Sequence, residues 1–466
     1  MNILIASMIA ALPLLPAVRS ERITDAKLPA EGYRIRIGAD GRADIEAADA
    51  AGRFYAEKTL AQLPKPHPAC EIEDWPAYSW RGILLDESRH FFGKDAVKRL
   101  LDRMADFKFN VLHWHLMDSQ GNRFPLPEYP RMNTVGATRP SPDYQRWIHD
   151  EGFGTYGPFG YSPTDIAEIL AYAKARFIRV VPEVEIPGHS REVLLSYPEF
   201  FCGTSRQLSI ACAFASGHVP DDVLCNTAVC LGNDDVIRFF EYCLDEVCRL
   251  FPDSDVIHIG GDECPRKNWK TCPKCQARIR SLGLKDEDAL QAWVTRHFTD
   301  YLAKKGRRAI GWDEVFAGDP GKDTVIQGWH IRHGNKFGLK AAEAGYPTIV
   351  SDLMRTYFSV AQGVEDDPFT YLSPGMKVPL AQAYSFDPFD GMTDKARPNV
   401  IGAECCMWSE CTWNLYDLEW KLYPRACAFA ERVWSGTGLA FADFETRMAT
   451  HRKRLIAAKV CCAPLR

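Results

Sequence analysis

From Arg81 onward the chain repeats one alternation eight times: a short apolar run of strand length, then a longer amphipathic or loop-rich stretch. The strand-like runs are RGILLD (81–86), NVLHWHL (110–116), IRVVPEV (178–184) and DVIHIGG (255–261). RAIGW (308–312), TVIQGW (324–329), TIVSDL (348–353) and VIGAECC (400–406) complete the series. Between runs, Val97, Leu100, Leu101, Met104 and Phe107 fall at helical spacing, as do Trp293, Val294, His297, Phe298, Tyr301 and Leu302. Continuous apolar strands separated by helices are the signature of a parallel sheet whose faces are both covered. Eight such units predict an α/β fold of the (β/α)8 TIM barrel type.

Ahead of the barrel, YRIRIGADGRADIEA reads as two alternating strands around a Gly-containing turn, and AADAAGRFYAEKTLAQL reads as a helix. This is a short N-terminal α/β domain, which the family resemblance given below makes a truncated one, too small to bury much core alone. The expected organisation is a leader over 1–20, the small domain over 21–75, the barrel over 76–440 and a C-terminal helical segment over 441–466 packed on the barrel. The apolar run 2–18 has the length of a signal-peptide core, with cleavage after Ser20, so a secreted or periplasmic location is expected. Pro13 and Pro16 interrupt that run, and no later segment approaches the ~20 apolar residues of a membrane span, so no membrane partner is expected. With 56 basic against 61 acidic residues and a net charge of −5, the chain has no global field for nucleic acid.

The 16 cysteines are too few for a disulfide scaffold at this length. In an oxidising compartment Cys202, Cys212, Cys225 and Cys230, close in one loop-rich stretch, are candidates for pairing. Cys272-Pro-Lys-Cys275 is a lone C-x-x-C with no second pair following, and reads as a local disulfide or two free thiols. No metal and no cofactor are expected.

Active sites of barrels sit at the carboxyl ends of the strands, and here those ends carry Asp86, Arg89, His115, Asp118, Glu183, Glu185 and His189, then Asp262, Glu263, Trp312, Trp329, Asp352, Tyr357, Trp408 and Glu410. Together they describe a pocket. The sharpest element is IHIGGDEC (257–264), in which an apolar strand enters Gly260-Gly261 and then presents two adjacent acids. Two carboxyls held close separate in pKa, so one can keep a proton while the other is ionised.

Several of these segments carry a resemblance: RGILLDESRHFF, NVLHWHLMDSQG, VVPEVEIPGHS, IHIGGDE, GWDE, GAECCMWSE and YPRACAFAERVWS. Over about residues 30–440, in the same order, the chain resembles the glycoside hydrolase family 20 β-N-acetylhexosaminidases. The resemblance implies a barrel behind a small α/β domain and retaining, substrate-assisted hydrolysis of glycans ending in a β-linked N-acetylhexosamine. By the resemblance, Glu263 is the general acid/base and Asp262 holds the 2-acetamido group. Arg81 is matched to the arginine that grips the sugar's O3 and O4, Trp312, Trp329 and Trp408 to the aromatic walls, and Tyr357 to the donor for the acetamide oxygen. Glu410 is matched to the acid that binds O4 or O6, and Asp118 and His189 to a buried pair supporting the catalytic acids. Ser119, Asn122, Glu185 and Ser359 depart from the residues frequent in the family.

Other readings weighed are release of a disaccharide of the lacto-N-biose type, a carboxylate-nucleophile glycosidase, a non-catalytic sugar-binding barrel, and a metal site on His113 and His115 completed by Asp118 and His189. Histidines two apart on a strand buried on both faces are ordinarily hydrogen-bonded core residues, which disfavours the last.

Overall fold

Three five-residue strands, β1 (Tyr33–Ile37), β2 (Ala43–Ala47) and β3 (Cys70–Asp74), form an antiparallel sheet in the order β2-β1-β3. Alternation decides its faces: Tyr33, Ile35 and Ile37 are buried, whereas Arg34 and Arg36 turn outward to Glu46, Glu71 and Glu73. Helix α1 (Ala50–Gln62) starts where the Asp49 carboxylate accepts from Gly52 N–H, and it lays Tyr55 and Ala56 on the sheet. The core of this unit is completed from outside by Leu14 and by Trp434 of the barrel, as expected for a domain too small to close its own. The computed structural model describes residues 12–19, 27–140, 155–203, 228–331, 334, 336–364 and 376–465.

The eight barrel strands are β4 (Trp80–Asp86), β5 (Val111–His115), β6 (Arg179–Glu183), β7 (Val256–His258), β8 (Arg308–Trp312), β9 (Val325–Gly328), β10 (Thr348–Val350) and β11 (Val400–Met407). All pairs are parallel, each strand lies beside its successor, and β11 closes on β4. Each expected strand is present. The fourth is shorter than its apolar run because Gly260 and Gly261 take positive φ (61° and 103°) and leave the ladder. Outside lie α2 (Lys94–Asp106), α3 (Pro163–Lys174), α4 (Asp234–Leu250), α5 (Pro273–Ser281), α6 (Glu287–Lys304), α7 (Phe337–Glu343) and α8 (Arg425–Trp434). Val97, Leu100, Leu101 and Met104 form the buried stripe of α2, as their spacing requires.

The small domain meets the barrel at the amino ends of the strands. Lys108, in the turn before β5, is fully buried and donates to Asp74 (2.9 Å) and to Tyr33 Oη (2.8 Å), while the Trp434 indole donates to Asp74 (2.8 Å). Residues 12–19 lie against the same side: Leu14 and Leu15 are buried, Ala17 N–H donates to Glu431, and Arg447 donates to Leu14 O (2.9 Å). Arg447 and His451, which bonds Pro13 O (2.7 Å), belong to the last helix, α9 (Phe441–Ala457). No helix among the described residues is long and apolar enough to cross a membrane.

Candidate active site

Register sets the floor of the site. Asp86, His115, Glu183 and His258 stand side by side on β4 to β7. Glu183 bonds His115 and accepts from the Trp312 indole (2.9 Å), and it faces His113 Nε2 at 3.0 Å and His258 Nδ1 at 2.8 Å. Glu404 accepts from His113 (2.7 Å), Gln327 (2.8 Å) and the Trp80 indole (3.1 Å). Burial works against the Glu183 carboxylate, but His115, His258 and His113 hold its pKa well below the usual range. The two histidines of the H-x-H segment are thus bonded to buried carboxylates in the barrel interior.

Above this layer the polypeptide turns sharply. Gly260 is required by close approach, since a Cβ there would lie 1.8 Å from Glu185 Oε2; one on Gly261 would lie 2.5 Å from Val315. His189 and Glu263 both hold left-handed backbones (φ 48° and 43°), a conformation that costs a non-glycine residue about 1–3 kcal/mol and collects at functional sites. These turns bring three side chains together. His189 Nδ1 lies 3.1 Å from Asp118 Oδ1, while its Nε2 faces Asp262 Oδ2 at 3.4 Å and Glu263 Oε2 at 3.6 Å. Burial alone would lower the His189 pKa, but Asp118 and then Asp262 carry it well above the ordinary value. The imidazolium therefore links an anion below to the two acids above. Asp262 Oδ1 is buried without a hydrogen-bond partner, and the Glu263 side chain is half exposed.

Trp312, Trp329, Trp408 and Tyr357 wall a cavity of about 280 Å³ whose floor and rim hold Asp262, Glu263, His189, Arg89 and Glu410. Trp329 is fixed by its indole bond to Glu314 (3.0 Å), and Trp408 lies between Trp312 and Tyr357, at centroid distances of 5.7 and 6.1 Å. Burial, then Cys406 and Asp262, raise the Tyr357 phenol well above its ordinary pKa, so it stays a hydrogen-bond donor. Burial also raises the Glu410 carboxyl, against the pull of Arg89. Ser359 lines the same cavity.

One expected site residue lies elsewhere. Arg81 is the second residue of β4, at the amino end of the barrel, fully buried. It donates to Lys108 O (2.9 Å) and Tyr78 O (2.8 Å) and pairs with Glu31 (2.7 Å) beneath the small domain. A side chain there cannot reach a pocket at the opposite end of the strand. The arginine in the cavity is Arg89, just past the carboxyl end of β4, paired with Asp118 (2.7 Å) and Asp86 (3.2 Å), bonded to Gln120 (2.8 Å) and 3.9 Å from Glu410. The barrel rule itself was the signal that could have separated the two. Glu404 also holds the site without having been singled out for it, because only its cross-barrel partners His113, Gln327 and Trp80 reveal its part.

The chain matches "Glycosyl hydrolase family 20, catalytic domain" over residues 78–437 and "Glycosyl hydrolase family 20, domain 2" over residues 5–75. It is 36% identical over 440 residues to a beta-hexosaminidase of Porphyromonas gingivalis, covering 90% of this chain but 53% of the relative, so it spans about half that relative's length. A beta-hexosaminidase of Akkermansia muciniphila is 30% identical over 440 residues, with 92% and 84% covered. Among solved structures, an exo beta-N-acetylglucosaminidase of Vibrio harveyi in complex with N-acetylglucosamine superposes with a TM-score of 0.80 at 28% identity, covering 94% of this chain and 68% of that one.

Proposed function

Because the chain belongs to glycosyl hydrolase family 20, we propose that it is an exo-acting, retaining β-N-acetylhexosaminidase that removes terminal β-linked GlcNAc or GalNAc by substrate-assisted catalysis. The observation that carries this reading is Asp262 Oδ1, a buried acceptor with no protein donor on the wall of a cavity of about 280 Å³. Buried acceptors are rarely left unpaired. The N–H of a 2-acetamido group supplies the missing donor. The volume lies just below the ~300–1,000 Å³ range for ligand pockets and suits one sugar ring.

In this reading the acetamide carbonyl oxygen attacks the anomeric carbon as the glycosidic bond breaks. Glu263, at the open side of the cavity, gives its proton to the departing oxygen. Asp262 stabilises the positive charge that spreads to the acetamide nitrogen, and the Tyr357 hydroxyl orients the acetamide oxygen. The result is a cyclic oxazolinium. Glu263 then takes a proton from water, which opens the ring and restores the β configuration. Asp118 acts through His189, whose ring it holds toward Asp262 and Glu263. Arg89 and Glu410 stand where donors and acceptors for ring hydroxyls are needed, and the tryptophans cover the apolar ring face.

The test is turnover of p-nitrophenyl glycosides together with inhibition by the thiazoline analogue of GlcNAc. Asp262→Asn is expected to lower kcat on β-GlcNAc by about 10²–10³-fold. Glu263→Gln is expected to lower it by about 10²–10⁴-fold, least for leaving groups that need no proton. Sugar binding without turnover of β-GlcNAc would make the chain a lectin-like barrel, and indifference to the thiazoline would point to a carboxylate nucleophile.

A further inference from the structure

The connections that follow β6 and β7 meet a second time, away from the cavity, at four cysteines. Cys202 and Cys230 belong to the first connection, Cys272 and Cys275 to the second. Cys202 Sγ lies 3.6 Å from Cys275 Sγ, and Cys230 Sγ lies 3.6 Å from Cys272 Sγ and 3.7 Å from Cys275 Sγ. All four sulfurs lie within 4.8 Å of one another. Sulfurs bonded to each other would be about 2.05 Å apart. Four thiolates around one zinc ion at about 2.3 Å place their sulfurs at the corners of a tetrahedron with edges of about 3.8 Å. The three closest separations match that edge. A cluster of several irons distributes its thiolates over different metal atoms and spreads them wider.

The surroundings are built for such a centre. Cys230, Cys272 and Cys275 are buried and Cys202 is half-buried. The Gly232 backbone N–H donates to the Cys230 sulfur, the kind of contact that supports a metal-bound thiolate. A Cβ on Gly232 would lie 2.1 Å from the Lys274 carbonyl carbon, so the two connections touch backbone to backbone and only glycine fits. The buried Trp269 indole donates to Val229 O (2.9 Å), next to Cys230 in the chain. The C-x-x-C segment therefore has its second pair after all, not downstream but in the preceding βα connection.

We propose that Cys202, Cys230, Cys272 and Cys275 bind one structural zinc ion. All four positions are filled by thiolates, so the ion has no open site for chemistry. It cross-links the connection that carries His189 to the one that carries Asp262 and Glu263, with Glu263 nine residues before Cys272.

The test is metal analysis of the full chain, expressed with zinc supplied and purified without chelator. One zinc per chain is expected, released to a chromophoric indicator by a mercurial. Cys275→Ser and the milder Cys202→Ser are expected to lose the zinc and melt at lower temperature, whereas Cys70→Ser in the small domain keeps it. Cobalt exchanged into the wild type is expected to give the strong visible bands of a tetrahedral thiolate site, a readout that does not depend on any variant folding. Wild-type protein without metal, disulfides among these four cysteines, or iron in place of zinc would overturn the proposal.

Discussion

Two arginines eight residues apart, at opposite ends of β4, have nearly the same surroundings on a first inspection. Both are buried, and both guanidiniums lie over a tryptophan, Arg81 over Trp434 at 5.0 Å and Arg89 over Trp408 at 5.2 Å. Their partners differ. Arg81 meets two backbone carbonyls, a tyrosine hydroxyl and one acid, all belonging to the seam between small domain and barrel. Arg89 meets Asp86 and Asp118 and lies on the wall of a cavity beside Glu410. A guanidinium saturated by its own chain holds a fold together, while one surrounded by acids at a cavity wall is a charge kept in place for something else.

This contrast can be broken by exchanging the readouts. Arg89→Lys keeps the charge but loses the planar fork, removing the contacts to a sugar proposed for it, worth about 1.5–3 kcal/mol each. The expected loss is about 10²–10⁴-fold in kcat/KM with a nearly unchanged Tm. Arg81→Met strands Glu31 and two backbone acceptors, and breaking a buried pair costs about 3–5 kcal/mol. Melting should therefore fall sharply, while kcat/KM of the folded enzyme stays near wild type. If Arg81→Met instead abolished turnover at unchanged Tm, the assignment of the two arginines would have to be reversed.

The eight strands were legible because a strand buried on both faces must be apolar throughout, and such runs stand out from the amphipathic stretches between them. Asp262 and Glu263 stood out because Gly260 and Gly261 sit where no side chain fits, immediately before two carboxyls. Arg81 was misread because one segment carries two arginines, and type alone does not say which end of a strand each occupies. The polar floor was hidden for another reason. Glu404 looks like a stray acid until closure of the barrel brings it His113, 291 residues away. The thiol group is the same case, its two halves lying in different connections.

The strap at residues 12–19 sharpens the description of the amino end. The apolar run 2–18 carries the expectation of export with cleavage after Ser20, yet Leu14 and Leu15 are core residues here. Fully burying a leucine is worth about 1.5–3 kcal/mol. Deleting residues 1–20 is expected to lower Tm by several degrees and leave the glycoside preference as it is, because no strap residue lines the cavity. The mass of the chain recovered from the producing cells and from their medium would show whether residues 12–19 are kept; their removal without loss of Tm would mean that the amino end owes nothing to them.

The smallest expected effect concerns the layer between the two ends. Burial tends to discharge His113, but Glu404 and Glu183 on either side raise its pKa to about 9, against about 6.5 in an unfolded chain. A group whose folded pKa is raised binds its proton more tightly in the native state, so its contribution is complete below about pH 6.5 and is lost as pH climbs through about 9. Melts from pH 6 to pH 10 are expected to show a falling Tm over that window, and His113→Gln, which keeps hydrogen-bonding capacity without the titration, should flatten the fall. An equally steep fall in His113→Gln would place the alkaline sensitivity in another group and leave His113 a neutral spacer between its two carboxylates.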